Sequence, residues 1–171
     1  GGLEGITISI NEVEYSVFAA GDGLPCTISY RPGLARWEKE LPGGILVTEG
    51  FVPLEENRRI LRFTLTGESG RLFWRLGEGE PVSAPLAEGQ SAALVTQEKQ
   101  GRPDSRFFRE DFPEKQKKTL DWWHDKVSPL TVKTPWGALD RYLGGWCLYQ
   151  VTACRLMART SQYQNGGAFG F

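Results

Sequence analysis

The chain has 171 residues, a length that fits one domain or one domain with part of a second. Charged residues make up 24% of the chain and the formal net charge is −1, values that argue against a disordered chain and a nucleic-acid-binding surface. No apolar run approaches 20 residues, so the sequence predicts no membrane partner.

The cysteines are few and scattered. Cys26, Cys147 and Cys154 are an odd number and do not form a disulfide framework, which predicts reduced thiols in a cytoplasmic protein. His124 is the single histidine, so we expect no metal site.

The first hundred residues have the period of β-strands. Strands are predicted at 6–10, 14–19, 26–30, 44–52, 59–66, 71–76 and 91–97. In the strand 59–66, alternate residues face a buried side and a wet side, and GESG (67–70) is predicted to be a hairpin turn. Glycine and proline breaks recur about every ten residues, the spacing of an antiparallel β-sandwich.

The pattern becomes helical after residue 100. GRPDS (101–105) is predicted to be a linker or turn, and 113–127 a helix that opens on proline. Leu120, Trp123 and Val127 lie on one face of this helix, which favours docking against another element over stacking of the two tryptophans on a sugar.

A second, longer helix is predicted over 136–159. It is apolar nearly all round, so it requires partners on both sides, and only one other helix is predicted in this chain. Gly144 and Gly145 in its middle each cost about 1 kcal/mol relative to alanine, which close packing would offset. This pattern indicates an incomplete helical assembly.

The end of the chain contains several short motifs: Thr134-Pro135, Trp146 with Tyr149-Gln150, Cys154-Arg155, Ala158-Arg159-Thr160, and YQNGGAFGF at 163–171. Together with PCTISYRPG and GILVTEGFVPLEENRRILRFTLTGESG upstream, they resemble the cellobiose, chitobiose and cellodextrin phosphorylases and the phosphorylase module of cyclic β-1,2-glucan synthases. The chain departs from that family at Gly145 and Gly67, where asparagine is usual, and its segment 77–112 is shorter.

The resemblance implies a β-supersandwich at 1–100, a linker with a helix at 101–135, and the start of a truncated (α/α)6 catalytic domain at 136–171. The parent enzyme would be an inverting glycoside phosphorylase that acts on β-glucosides and releases α-glucose 1-phosphate. It would use inorganic phosphate as co-substrate and no cofactor. The implied partners are a β-linked gluco-oligosaccharide, the remainder of the catalytic domain and a second copy of the chain, as a dimer.

By the same resemblance, Tyr163, Gln164, Gly167, Phe169 and Phe171 would line the donor-sugar end of the site; core packing is an equal alternative for the two phenylalanines. The family's catalytic aspartate and phosphate-binding residues would lie beyond residue 171. We therefore assign no catalytic residue and expect this chain to be inactive by itself.

Two other hypotheses remain open. The chain could be a non-catalytic sandwich that binds carbohydrate or a protein partner through Trp37, which GLARWEK (33–39) would place in a polar loop, or through Trp74 or an exposed face. Trp74 has the position of a core residue within the sandwich. The chain could also be a truncated product without activity.

Overall fold

The structure is a computed structural model that describes residues 5–18, 22–54, 56, 58–75, 81–99, 102–108 and 112–157. The chain divides into two compact units, residues 1–118 and residues 119–171, which are described separately.

The described residues of the first unit form ten strands in two antiparallel sheets. The strands are β1 (Ile6–Ile10), β2 (Val13–Ser16), β3 (Cys26–Arg31), β4 (Leu34–Leu41), β5 (Gly44–Phe51), β6 (Arg58–Thr66), β7 (Gly70–Trp74), β8 (Val82–Leu86), β9 (Ser91–Lys99) and β10 (Arg102–Phe108). One sheet has the order β2-β1-β7-β8, and the other has the order β10-β9-β6-β5-β4-β3. The predicted antiparallel sandwich is confirmed.

Tight turns set the register of the larger sheet. Pro32-Gly33 joins β3 to β4 and Pro42-Gly43 joins β4 to β5, with Arg31 opposite Leu34 and Leu41 opposite Gly44. Gly33 and Gly43 have φ values of 81° and 92°, the conformation that the third position of a type II turn requires after proline.

The core lies between the two sheets. Apolar side chains from both sheets form one buried cluster: Ile6, Ile8, Ile10, Val17, Leu41, Leu46, Phe63, Leu65, Leu72, Trp74, Leu86, Ala92 and Leu94. Trp74 is therefore a core residue, as predicted. The alternation in β1 and β6 places these side chains on the inner face because successive residues of a strand point to opposite sides.

Helix α1 (Pro113–Val127) begins in the first unit and ends in the second, with the bounds that the sequence predicts. The second unit continues with α2 (Gly137–Arg141), a π-helical turn (Tyr142–Trp146) and α3 (Cys147–Met157). Within this unit the Trp123 ring lies 4.7 Å from the ring of Tyr149, which confirms that α1 docks against another helix.

The predicted long helix is thus interrupted by a π-helical turn that contains both glycines. A Cβ on Gly144 would lie 3.3 Å from the carbonyl oxygen of Leu130, whereas one on Gly145 would meet no atom within 4 Å. The expected close packing therefore holds at Gly144 and not at Gly145.

Two predictions about connecting segments are wrong, and two strands were missed. GESG is not a hairpin turn, because β6 and β7 belong to different sheets and the segment carries the chain across the core. GRPDS is not a linker or turn, because residues 102–108 form β10, an edge strand in which Pro103 is tolerated. The sequence analysis also missed β4 and β8.

The outer face of β6 is covered in its middle, although Arg58 and Thr66 at its ends are exposed. Ile60 is 1% exposed, and Arg62 on the same face hydrogen-bonds to Gln116 at the start of α1. Polar groups on the outer face of the larger sheet are therefore partly covered within the first unit. The prediction that β6 has one buried and one wet side is wrong in this respect.

Candidate functional site

The predicted donor-sugar residues Tyr163, Gln164, Gly167, Phe169 and Phe171 lie outside the described residues. Their role stays a prediction.

Trp37 lies in the middle of β4, opposite Ile28 of β3 and Thr48 of β5, so the prediction of a polar loop is wrong. Its half-buried ring packs edge-on against Phe18 at 5.0 Å and against Tyr30 at 6.3 Å between ring centroids. Because both neighbours are aromatic, this geometry is an intramolecular cluster typical of a sandwich edge. Sugar stacking on Trp37 stays a prediction.

A groove of about 320 Å³ opens at the β3–β4 hairpin, and we call it the β3–β4 groove. Its lining residues are Ser29, Tyr30, Arg31, Leu34, Arg36 and Glu49. The hairpin register explains its composition, because Ser29 pairs with Arg36, which in turn pairs with Glu49 on β5. Since directly opposed residues share a face, the pairing places a hydroxyl, a guanidinium and a carboxylate side by side.

Glu49 is the centre of a polar network at this groove. Its Oε1 lies 3.5 Å from Nη1 of Arg36, and its Oε2 accepts hydrogen bonds from Nη1 of Arg62 at 3.1 Å and Nε2 of Gln116 at 3.0 Å. Arg36 also donates from Nε to Glu38 at 2.8 Å. The Glu49 side chain is only 12% exposed, so these partners replace most of its water.

Both carboxylate oxygens of Glu49 are therefore engaged by donors from three elements. A general acid must carry its own proton and direct it at a leaving group. Glu49 acts instead as an acceptor that fixes Arg36, Arg62 and Gln116. The described part of the groove suits ligand binding and not proton transfer.

A second buried charge lies on the inner face of the same sheet. Lys39 is 1% exposed, and its Nζ donates to the carbonyl oxygen of Ser16 at 2.6 Å and to Oδ2 of Asp22 at 2.5 Å. The Lys39 hydrogen bond lowers the pKa of Asp22, with a smaller contribution from the backbone N–H of Leu24. The hydrogen bond to Ser16 links β4 to β2 of the other sheet, so Lys39 and Asp22 have a structural role.

Residues of the two networks were missed by the sequence analysis. The available signal was a lone carboxylate, Glu49, within the otherwise apolar run GILVTEGF. The described residues include no group of three or more histidine, cysteine or acidic side chains that could hold a metal ion.

Comparison with known proteins gives one informative result. The chain is 42% identical over 50 residues to the cyclic β-(1,2)-glucan synthase NdvB of Rhizobium meliloti (strain 1021). The match covers 29% of this chain and 2% of the synthase. No protein-family description and no solved structure matches the chain.

The similarity is local, and it links one segment of this chain to a glucan synthase. In the described ranges, every helix is too short or too polar to cross a membrane.

Proposed function

We propose that this chain is part of an inverting phosphorylase-type enzyme that acts on β-linked glucosides. The observation that carries the proposal is the 42% identity to a cyclic β-(1,2)-glucan synthase over 50 residues. The order of elements supports it, since an antiparallel sandwich precedes α1 and the helical segment Gly137–Met157, as the phosphorylase resemblance implies.

The proposed reaction joins inorganic phosphate to the anomeric carbon while the bond from that carbon to the glycosidic oxygen breaks. An acid group protonates the departing oxygen, and the products are α-glucose 1-phosphate and a shortened sugar. In this proposal the donor-sugar loop at 163–171 contributes binding groups, and the catalytic aspartate is supplied by sequence outside these 171 residues. The sandwich would contribute to a dimer interface, and the enzyme would be cytoplasmic.

The experiment uses the product of the complete reading frame, with β-1,2-linked glucobiose and inorganic phosphate as substrates. We expect glucose 1-phosphate of the α configuration, measured by proton NMR before the anomers equilibrate, and no product in phosphate-free buffer. Free glucose without sugar phosphate, or a product of the β configuration, would contradict the proposal.

The 171-residue chain alone provides the matched control. Under the same conditions it is expected to release no sugar phosphate, because the proposal places the catalytic acid outside these 171 residues. Sustained release would contradict the assignment of catalysis to sequence outside this chain, and light scattering on the same preparation would test the predicted dimer.

A further inference from the structure

The β3–β4 groove has the chemical features of a binding site that the proposed reaction does not use. It is lined by Leu34, which is 6% exposed, and by Tyr30, which is 58% exposed and whose ring packs against Trp37. Its volume of about 320 Å³ falls at the small end of the range for ligand pockets, about 300–1,000 Å³. The groove thus combines an apolar surface with convergent polar groups.

The charges of the groove are largely balanced. Arg36 lies between Glu38 and Glu49, and Glu49 also faces Arg62. Arg31 is exposed, and no partner is assigned to it among the described residues. A ligand with several negative charges would meet the Glu49 carboxylate, so the groove favours a neutral or weakly charged ligand.

Sugars match this set of groups. Each hydroxyl can accept from a guanidinium and donate to a carboxylate or hydroxyl oxygen, and the groove offers Arg31, Arg36 and Ser29. The C–H face of a pyranose ring is apolar and would contact Leu34. A buried carboxylate that is fixed by several donors requires little reorganisation when a ligand binds.

We propose that the β3–β4 groove binds one or two glucose units of a neutral gluco-oligosaccharide, through residues other than those of the predicted donor-sugar loop. The choice of glucose as the sugar rests on the proposed function, whereas the polyol chemistry rests on the groove itself. Such a site would hold a glucan chain on the sandwich.

The test is an NMR titration of the isotopically labelled 171-residue chain with β-1,2-linked glucobiose. We expect saturable shifts of backbone amides in residues 29–36, complete at about 10 mM if the Kd is about 1 mM or below. The variant Arg31→Ala is expected to weaken binding by about tenfold, since a hydrogen bond from a charged donor is lost.

The matched control is Arg59→Ala, which removes an exposed arginine from β6 on the other face of the same sheet. It is expected to leave the Kd unchanged. Absence of shifts at about 10 mM sugar, a wild-type Kd in Arg31→Ala, or an equal loss in Arg59→Ala would overturn the proposal.

Inorganic phosphate is titrated separately. If phosphate shifts the same amides at lower concentration than glucobiose, the groove is an anion site and the sugar proposal is overturned. Neither titration measures catalysis. Absence of sugar binding in the groove can therefore be distinguished from absence of phosphorylase activity.

Discussion

Replacing Asp22 with asparagine is expected to destabilise the sandwich more than most substitutions at a partly exposed position. Lys39 is 1% exposed, and its Nζ donates to Asp22 at 2.5 Å. Asp22→Asn removes the negative charge and leaves the buried ammonium beside a neutral amide. The destabilisation therefore comes from the lysine that stays buried, and not from the aspartate that is changed.

The magnitude follows from the geometry. Removing one partner of a fully buried ion pair costs about 3–5 kcal/mol. The Asp22 side chain is 26% exposed, and Nζ keeps its hydrogen bond to the Ser16 carbonyl, so we expect a smaller loss of about 2 kcal/mol. With a urea dependence of about 2 kcal/mol per molar, the unfolding midpoint would decrease by about 1 M.

The control is a double-mutant cycle with Lys39→Met, which replaces the buried charge by an apolar chain of similar length. In that background Asp22→Asn is expected to cost less than about 0.5 kcal/mol, because no buried ammonium is left. The assay is urea unfolding at neutral pH followed by circular dichroism. Equal losses in the two backgrounds would refute the argument that the pair determines the effect.

The remaining predictions concern pH and glycine. The Lys39 hydrogen bond lowers the pKa of Asp22 in the folded state. The ionised Asp22 therefore stabilises the fold fully above the ordinary aspartate pKa, and this stabilisation is lost as pH falls through the lowered pKa. Urea midpoints of wild type and Asp22→Asn should therefore converge at acidic pH, and a constant difference would contradict this. Gly67→Ala should cost at least about 1 kcal/mol more than Gly89→Ala in the same assay. Both glycines have a positive φ, but a Cβ on residue 67 would lie 2.3 Å from a backbone oxygen, whereas one on residue 89 would meet no atom within 4 Å. Equal costs of the two substitutions would refute this prediction. Gly145→Ala should stabilise the helix by up to about 1 kcal/mol in thermal melts. Gly144→Ala should stabilise it less, because its Cβ would lie 3.3 Å from a carbonyl oxygen. A larger gain for Gly144→Ala than for Gly145→Ala would contradict this prediction.

Strands with a clear alternation of apolar and polar residues were predictable from sequence. β1 has the predicted bounds, and β6 begins one residue before the predicted start, because in both strands the side chains that alternate to the inner face enter the core. Within the core, the inner face of each strand is consistently apolar, so the period of two is visible without knowledge of partners.

β4 could not be predicted in the same way. LARWEKEL contains four charged residues, and one of them, Lys39, points into the core. Its burial depends on Asp22, which is 17 positions away in the chain and is brought close by the fold. A charge is assigned to the surface by default, so a buried pair of this kind is hidden from a period-based interpretation.

The crossing from β6 to β7 was hidden for a different reason. GESG has the composition of a hairpin turn, and Phe63 and Leu72 on either side both carry apolar side chains. In a hairpin these side chains would lie in one sheet, whereas here they face the same core from opposite sheets. Composition identifies a turn but does not determine which sheet the next strand joins.

The candidate groove depends on contacts that are equally long in range. Glu49 brings together Arg36 from one neighbouring strand, Arg62 from the other and Gln116 from α1. One carboxylate oxygen therefore faces the groove partner Arg36, and the other holds the start of the helix that follows the sandwich. A ligand that contacts Arg36 changes the surroundings of the Glu49 carboxylate, and the same carboxylate accepts a hydrogen bond from Gln116. Glu49 therefore connects the groove to the first turn of α1. This connection gives the groove a structural link to the helix that is independent of what the ligand is.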